Sequence, residues 1–339
     1  MILSRQRMDR TILHSKGCQL CQNGAKMVLF VTGTCHNECF YCPISDLRRG
    51  TDKVYANERL VKSDEDILCE AYSMDALGTG ITGGEPLLKS ERVMHYITLL
   101  KNEFGVDHHI HLYTSIAPDD RTLTKLYKVG LNEIRFHPPI GLWDKFESSD
   151  YPNALKKTKS LGLEVGVEIP AIKHVPEILR VLERIGGFLN LNELEFSETN
   201  YEELTEMGFV PSEGGYAAIG SKEVVNYVRN FKVPVYFCSS SSKDSIQLRE
   251  RFKRKAQRVA RPFEEITEDG TLVYGTIKGI VDEDILNELE RDEYEIVEGT
   301  IETSWWIAEE LARMFRSKRY KVTIIERHPE GTIVESTPL

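Results

Sequence analysis

Three cysteines, Cys35, Cys39 and Cys42, stand four and three residues apart inside the octapeptide Cys-His-Asn-Glu-Cys-Phe-Tyr-Cys. A thiolate is a metal ligand, and three of them on so short a loop leave a tetrahedral structural zinc site one ligand short. They suit three irons of a cubane iron–sulfur cluster, with the fourth iron open to an outside ligand. The plain alternative is three reduced structural thiols. The octapeptide follows an apolar run, Met27-Val28-Leu29-Phe30-Val31, that ends at Thr32-Gly33-Thr34. Such a run, closed by glycine, reads as a buried parallel strand. The cysteines then leave its C-terminal end, where α/β folds place their chemistry.

A second motif, Gly80-Ile81-Thr82-Gly83-Gly84-Glu85-Pro86, follows a helical stretch from Ser63 to Leu77 and falls at the end of a second strand. Its paired glycines let the backbone approach a ligand closely, and Glu85 offers a carboxylate to an ammonium group. With both motifs in this order the chain resembles the radical S-adenosylmethionine (SAM) superfamily over residues 26 to 240. More narrowly it is similar to an archaeal group known only as related to pyruvate formate-lyase activating enzyme.

The resemblance implies that Cys35, Cys39 and Cys42 hold a 4Fe–4S cluster, with Tyr41 as the aromatic residue before the last ligand. It implies that Gly83, Gly84, Glu85 and Pro86 hold the amino group of the SAM methionine. The activity implied is one-electron cleavage of SAM to a 5′-deoxyadenosyl radical that takes hydrogen from a substrate. The electron would come from an external donor.

The elements that must position these motifs alternate. Candidate strands are 27–33, 80–82, 108–114, 132–136, 163–169, 192–197 and 233–237, and candidate helices 64–77, 89–104, 119–129, 150–161, 173–186 and 220–231. Repeated strand–helix units imply a parallel sheet with right-handed crossovers. About six units, short of a closed eight-fold barrel, predict an α/β fold built on a partial (βα)6 barrel. Polar residues mark the predicted strand ends: Thr114-Ser115, Arg135, His137, Glu168, and Glu195, Ser197, Glu198 and Asn200. The resemblance puts Thr114, Ser115, Arg135, Glu168 and Ser197 on SAM or the substrate, the alternative being hydrogen-bonded loop residues. Glu168 and Glu195 are expected to point inward. His108-His109-Ile110-His111 is read as a strand start with His109 and His111 on opposite faces, not as a site.

Residues 1–26 form an N-terminal extension carrying Cys18 and Cys21, spaced as two thiolates on a tight turn. Cys238 opens a Cys-Ser-Ser-Ser-Ser run past the last predicted strand. By the same resemblance Cys18, Cys21 and Cys238 could share an auxiliary iron–sulfur cluster, with zinc or no metal as alternatives. Cys238 belongs at the barrel top, so the extension would have to climb extended along the open edge. Cys69, mid-helix among Ile67, Leu68 and Ala71, is read as core packing.

After the barrel (27–240) comes a linker at 241–262, whose stretch 243–261 carries eight basic and two acidic residues and reads as a helix. A small α+β domain follows at 263–339, with 19 acidic against 8 basic residues. Its pattern is strand 271–278, helix 282–289, strand 293–298, helix 303–316, strand 320–326 and strand 332–336. Of Trp305 and Trp306 one is expected in the core. The leading substrate reading is an RNA nucleoside, in tRNA, with phosphates met by the basic helix. The alternative is a protein-directed activase or an enzyme of a small molecule, the basic helix pairing with the acidic domain.

The net charge of −10 over 339 residues argues against a protein that coats nucleic acid with its whole surface. No apolar run reaches the length of a membrane span, and the opening residues lack the apolar core of a secretory signal. Seven cysteines clustered in this way suggest metal in a reducing cytoplasm. Abundant Lys and Glu with scarce Gln fit a thermophile.

Overall fold

The computed structural model describes residues 15–213, 215–228, 230–279, 286, 289 and 293–339. The chain divides into two compact units. Lys26–Tyr72, Ala76–Ser245 and the N-terminal helix make the first, and Ile246–Leu339 with the turns Asn23–Ala25 and Ser73–Asp75 make the second. The basic helix, Arg249–Val259, therefore belongs to the second unit.

The first unit is built on a nine-stranded sheet. A short helix α1 (Lys16–Gln22) leads into β1 (Lys26–Phe30), and a hairpin, β2 (Val54–Ala56) and β3 (Arg59–Val61), pairs antiparallel along β1. Then β4 (Gly78–Thr82), β5 (His109–Thr114), β6 (Glu133–Phe136), β7 (Glu164–Pro170), β8 (Phe188–Asn192) and β9 (Val235–Cys238) follow in spatial order, every neighbouring pair from β1 to β9 parallel. Helices α2 (Asp64–Ser73), α3 (Ser90–Phe104), α4 (Asp120–Lys128), α5 (Tyr151–Ser160) and α6 (Pro176–Ile185), then α7 (Tyr201–Glu206) with α8 (Glu223–Val228), make the crossovers. Six strand–helix units and a closing strand are an open, partial barrel, as the alternation predicts.

The strands alternate, but both faces are buried. On β5 and β6, Ile110, Leu112, Ile134 and Phe136 lie in the core with Leu123 and Leu126 of α4. The alternate positions His109, His111, Glu133 and Arg135 are buried as well, on the inner face, and β7 and β8 add Glu168 and Asn190 to them. Helix α1 lies against this inner face. The Gly17 N–H points at Glu133 Oε2 at 3.3 Å, and Asn190 Nδ2 donates to Cys18 Sγ at 3.3 Å.

Several expectations change. The sixth strand is 188–192, not 192–197, so Glu195 and Ser197 lie in the loop beyond it. Glu195 is half-buried and accepts from Lys243 Nζ at 2.7 Å, so it does not line the inner face. Cys18 and Cys21 sit one turn apart on α1 rather than on a tight turn or an extended climb. His109 and His111, two apart on a strand, share the inner face. Cys69 is exposed, because α2 buries Ile67, Glu70 and Ala71, and Asn57 Nδ2 donates to the Glu70 carboxylate at 2.8 Å. The β2–β3 hairpin had no alternation long enough to be read.

The second unit is a six-stranded antiparallel sheet: β10 (Glu265–Ile266), β11 (Leu272–Lys278), β12 (Tyr294–Val297), β13 (Thr300–Thr303), β14 (Lys321–Arg327) and β15 (Ile333–Pro338). The helix Trp305–Ser317 packs Ala308, Ala312 and Phe315 against Ile277, Ile301 and Val322. Neither tryptophan is a core residue: Trp306 is exposed and Trp305 is half-buried, donating to the Glu265 carboxylate. The predicted helix 282–289 lies outside the described residues, save positions 286 and 289. Among the described residues no helix is long and apolar enough to cross a membrane.

Candidate active site

The cysteine loop leaves β1 at the C-terminal rim of the sheet and is held by backbone. The Gly84 N–H donates to Thr32 O at 2.7 Å and the Glu85 N–H to Thr34 O at 2.8 Å, so the glycine segment continues the β1–β4 pairing past both strands. A Cβ on Gly83 would stand 2.5 Å from Thr32 O, and one on Gly84 2.5 Å from Thr34 O, contacts no side chain tolerates. Behind the cysteines, Gly33 exchanges hydrogen bonds with Thr51 O at 2.7 Å and the Gly50 N–H at 2.9 Å. The loop is thus a closed excursion from a fixed stem. Asp52 fastens the stem, accepting from Thr32 Oγ1 at 2.9 Å and pairing with Lys89 at 2.8 Å and Arg92 at 2.6 Å.

Four side-chain hydrogen bonds pin the loop to the other strand ends. Asn37 Nδ2 donates to Ser115 Oγ at 2.7 Å, just past β5. The Tyr41 hydroxyl lies 3.1 Å from His137 Nε2, past β6. Because His137 Nδ1 faces the Glu168 carbonyl at 2.7 Å and must donate to it, Nε2 is the acceptor and Tyr41 the donor. Burial holds the His137 pKa down, which keeps that neutral tautomer. Beyond β8, Asn200 Nδ2 donates to Tyr41 O and Thr199 Oγ1 to Cys42 O, each at 3.3 Å. Tyr41 is buried among Leu194, Phe196, Leu204 and Ala218, so the aromatic before the last cysteine anchors the loop.

The three sulfurs stay accessible. Cys35 is exposed, Cys39 and Cys42 are half-buried, and none is in a disulfide. Burial raises the Cys35 and Cys39 pKa values, so as free thiols they keep their protons until a metal displaces them. Three reachable thiols around a backbone cradle with no room for a Cβ fit a cluster that leaves one iron to an outside ligand.

Glu85 is the buried counterpart to this loop. Its carboxylate accepts from Thr114 Oγ1 at 2.7 Å, from the Ser115 N–H and Oγ at 2.6 Å, and from the Leu87 N–H at 2.9 Å. With the Asn37 contact, Glu85, Thr114 and Ser115 form one chain under the cysteine loop, beside Gly83, Gly84 and Pro86. The rim beyond β8 opens on a cavity of about 640 Å3 lined by Phe196, Ser197, Glu198, Tyr201, Pro211 and Tyr216.

Arg135 and Glu168 are brought to each other, not to this rim. Arg135 Nη1 meets Glu168 Oε2 at 2.8 Å, its Nε lies on Glu133, and its Nη2 lies 3.1 Å from Ser15 Oγ and 3.5 Å from Cys18 Sγ. Glu168 also accepts from the Tyr113 hydroxyl, and from Asn190 and Asn192 at 2.9 Å each. Burial opposes both charges, but the pairing wins: Arg135 is raised and Glu168 lowered from their usual ranges. Sequence reasoning missed Glu133, Tyr113, Asn190 and Asn192. The available signal was their two-residue spacing from Arg135, His111 and each other.

Cys18 and Cys238 share a buried cluster with Tyr236, and Gln22 Nε2 of the same helix donates to the Tyr236 hydroxyl at 3.3 Å. Burial raises the pKa of Cys18 and of Cys21.

A family profile described as a domain of unknown function (DUF8061) matches residues 270–339. A protein of Methanocaldococcus jannaschii, provisionally named a glycyl-radical enzyme activating enzyme, is 39% identical over 343 residues, spanning 94% of this chain and 91% of its own. Among solved structures, SuiB of Streptococcus suis bound to S-adenosylmethionine overlaps with a TM-score of 0.42 at 13% identity, over 74% of this chain and 55% of that one. Methylornithine synthase (PylB) gives 0.42 at 17%, over 63% and 67%. Coproporphyrinogen III oxidase (HemN) of Escherichia coli, a radical SAM enzyme, gives 0.33 at 10%, over 84% and 88%.

Proposed function

The chain belongs to the family of its Methanocaldococcus jannaschii relative, and we propose that it is a radical SAM activase that draws a hydrogen atom from a protein partner. The chemistry supplied when Cys35, Cys39 and Cys42 hold a 4Fe–4S cluster is one-electron cleavage of SAM to methionine and a 5′-deoxyadenosyl radical. The chain's own residues do the positioning. Gly83 and Gly84 keep side chains out of the cradle, Glu85 sets Ser115, and Ser115 with Tyr41 sets the cysteine loop. An external donor supplies the electron.

One observation carries the choice of a protein partner. Beside the cysteine loop, Tyr201, Met207, Val210, Tyr216 and Ile219 are each at least half exposed. Phe209 among them stacks on Phe40 of the loop at 6.4 Å between ring centres. Exposed apolar ledges of this kind mark protein contacts. From Glu193 to Ser221 the chain holds seven glutamates and no Lys or Arg, a rim that repels a polyanion. The basic helix that suggested RNA is engaged inside its own unit: Arg254 bonds Asp75 Oδ2 at 2.8 Å, and Lys253 lies 3.3 Å from Glu250. The relative's name points the same way.

The test is isotopic. The anaerobically reconstituted enzyme, given SAM, a reductant and fractions from perdeuterated host cells, should return deuterium in 5′-deoxyadenosine from the protein fraction. Transfer from the RNA fraction alone would overturn the protein reading in favour of RNA.

Cys18, Cys21 and Cys238 are proposed to hold a second iron–sulfur cluster. The helical spacing of the first two and the burial of Cys18 with Cys238 support it. Iron remaining after Cys35, Cys39 and Cys42 are all changed to Ala checks this; zinc or nothing there would remove the second cluster.

A further inference from the structure

We propose that His109, His111 and Glu133 form a divalent metal site on the inner face of the barrel, with no cysteine among its ligands. One ligand atom from each of the three lies within 4.8 Å of the others. All three side chains are more than nine-tenths buried. His111 stands directly opposite Glu133 in the β5–β6 register, and His109 is two residues earlier on the same face.

Two atoms ask for a ligand. His109 Nε2 and His111 Nδ1 are buried and have no hydrogen-bond partner. Buried polar atoms are almost always paired, and exceptions call for an explanation such as an ion. His109 Nε2 faces Glu133 Oε2, but at 3.5 Å. Room is kept by glycine: a Cβ on Gly17 would stand 2.8 Å from both Glu133 Oε2 and His111 Nδ1, inside the cradle. A Cβ on Gly80 would stand 2.7 Å from His111 Nε2 and push the ring away.

Two imidazoles and a carboxylate suit zinc or another first-row divalent ion, with a position left for water. Charge stays near balance. His109 Nδ1 lies 2.9 Å from Lys26 Nζ, so in the empty site Nδ1 accepts from the ammonium and Nε2 carries the ring proton. Coordination at Nε2 displaces that proton, and Nδ1 takes a hydrogen from Lys26. One proton leaves per ion bound, so the interior, where Arg135 already pairs with Glu133 and Glu168, gains one charge rather than two. The ion would tie β5 to β6 and seat the start of α1.

Cobalt distinguishes this site from the cysteines. The full-length apo protein titrated anaerobically with Co2+ should show one equivalent of nitrogen- and oxygen-ligated bands without thiolate charge transfer. His111→Leu should lose that equivalent and keep any thiolate bands. Loading with Co2+ should raise the melting temperature of wild type by more than that of His111→Leu. Cobalt bands of thiolate type only, or His111→Leu binding as wild type does, would overturn the proposal.

Discussion

The rim and the inner face of one barrel are organised by opposite means. At the rim, main-chain hydrogen bonds and glycines fix the stem of the loop, Asn37 and Tyr41 pin its far part, and the three sulfurs are outside any disulfide. On the inner face, side chains do the holding: Arg135 is bound by Glu133, Glu168, Tyr113 and Ser15 at once. A backbone cradle tolerates changes of the side chains it presents, because its geometry does not depend on them. A buried charge network does not, because removing one member strands the others. The difference predicts that substitutions of the three cysteines act on chemistry and inner-face substitutions on stability.

The largest effect should come from Cys39→Ala. SAM cleavage should drop below detection, while the thermal midpoint of the apo protein moves by no more than a few degrees. Turnover measured as 5′-deoxyadenosine, beside a melting curve, checks both halves. Retained turnover would break the assignment of this loop.

Next comes Arg135→Met, which removes the cation and leaves Glu133 and Glu168 buried without it. Breaking a buried ion pair in this way costs about 3–5 kcal/mol. Urea unfolding should show that loss, with the SAM KM of the surviving folded protein unchanged. A raised KM at unaltered stability would move Arg135 to the cofactor site.

That division also explains what could be read in advance. The rim motifs are runs of consecutive residues, Cys35 to Cys42 and Gly83 to Pro86, so they are visible without a fold. The inner face draws one or two of these residues from each of five strands: Lys26, His109, His111, Glu133, Glu168 and Asn190. Their alternation with Ile110, Ile134 and Val167 has the form of a strand with one wet face. Only the packing of α1 against that face makes it an interior. The same alternation put two histidines in one place, yet local reading separated them. The sixth strand was misplaced because Phe188-Leu189-Asn190-Leu191 directly follows Gly186-Gly187, while Leu194-Glu195-Phe196 alternates equally well.

A smaller effect is expected at Glu85. Glu85→Gln puts an amide that can donate where the carboxylate accepts from Ser115 N–H and Oγ, Thr114 and Leu87 N–H. Leaving such a donor unsatisfied costs about 1–3 kcal/mol. Because Ser115 also holds Asn37 of the cysteine loop, cluster retention should fall along with stability. Iron content after gel filtration and the urea midpoint should decline together. A loss of SAM affinity with neither of them would make Glu85 a direct ligand of the amino group instead.

The smallest expected effect tests a thread that joins the two regions. Tyr41 donates to His137 Nε2, and His137 Nδ1 donates to the carbonyl of Glu168, whose side chain belongs to the inner network. Tyr41→Phe keeps the ring among Leu194, Phe196 and Leu204 and removes only the hydroxyl. Losing one neutral hydrogen bond should cost about 0.5–1.5 kcal/mol. His137 keeps its bond to the Glu168 carbonyl, so the inner network should be undisturbed. If rim and inner face act independently, the losses of Tyr41→Phe and Arg135→Met should add in the double variant to within about 0.5 kcal/mol, as distant sites do. A larger departure in urea unfolding would mean that the His137 bridge couples them, and the contrast between a backbone-built rim and a charge-built interior would then describe one cooperative site.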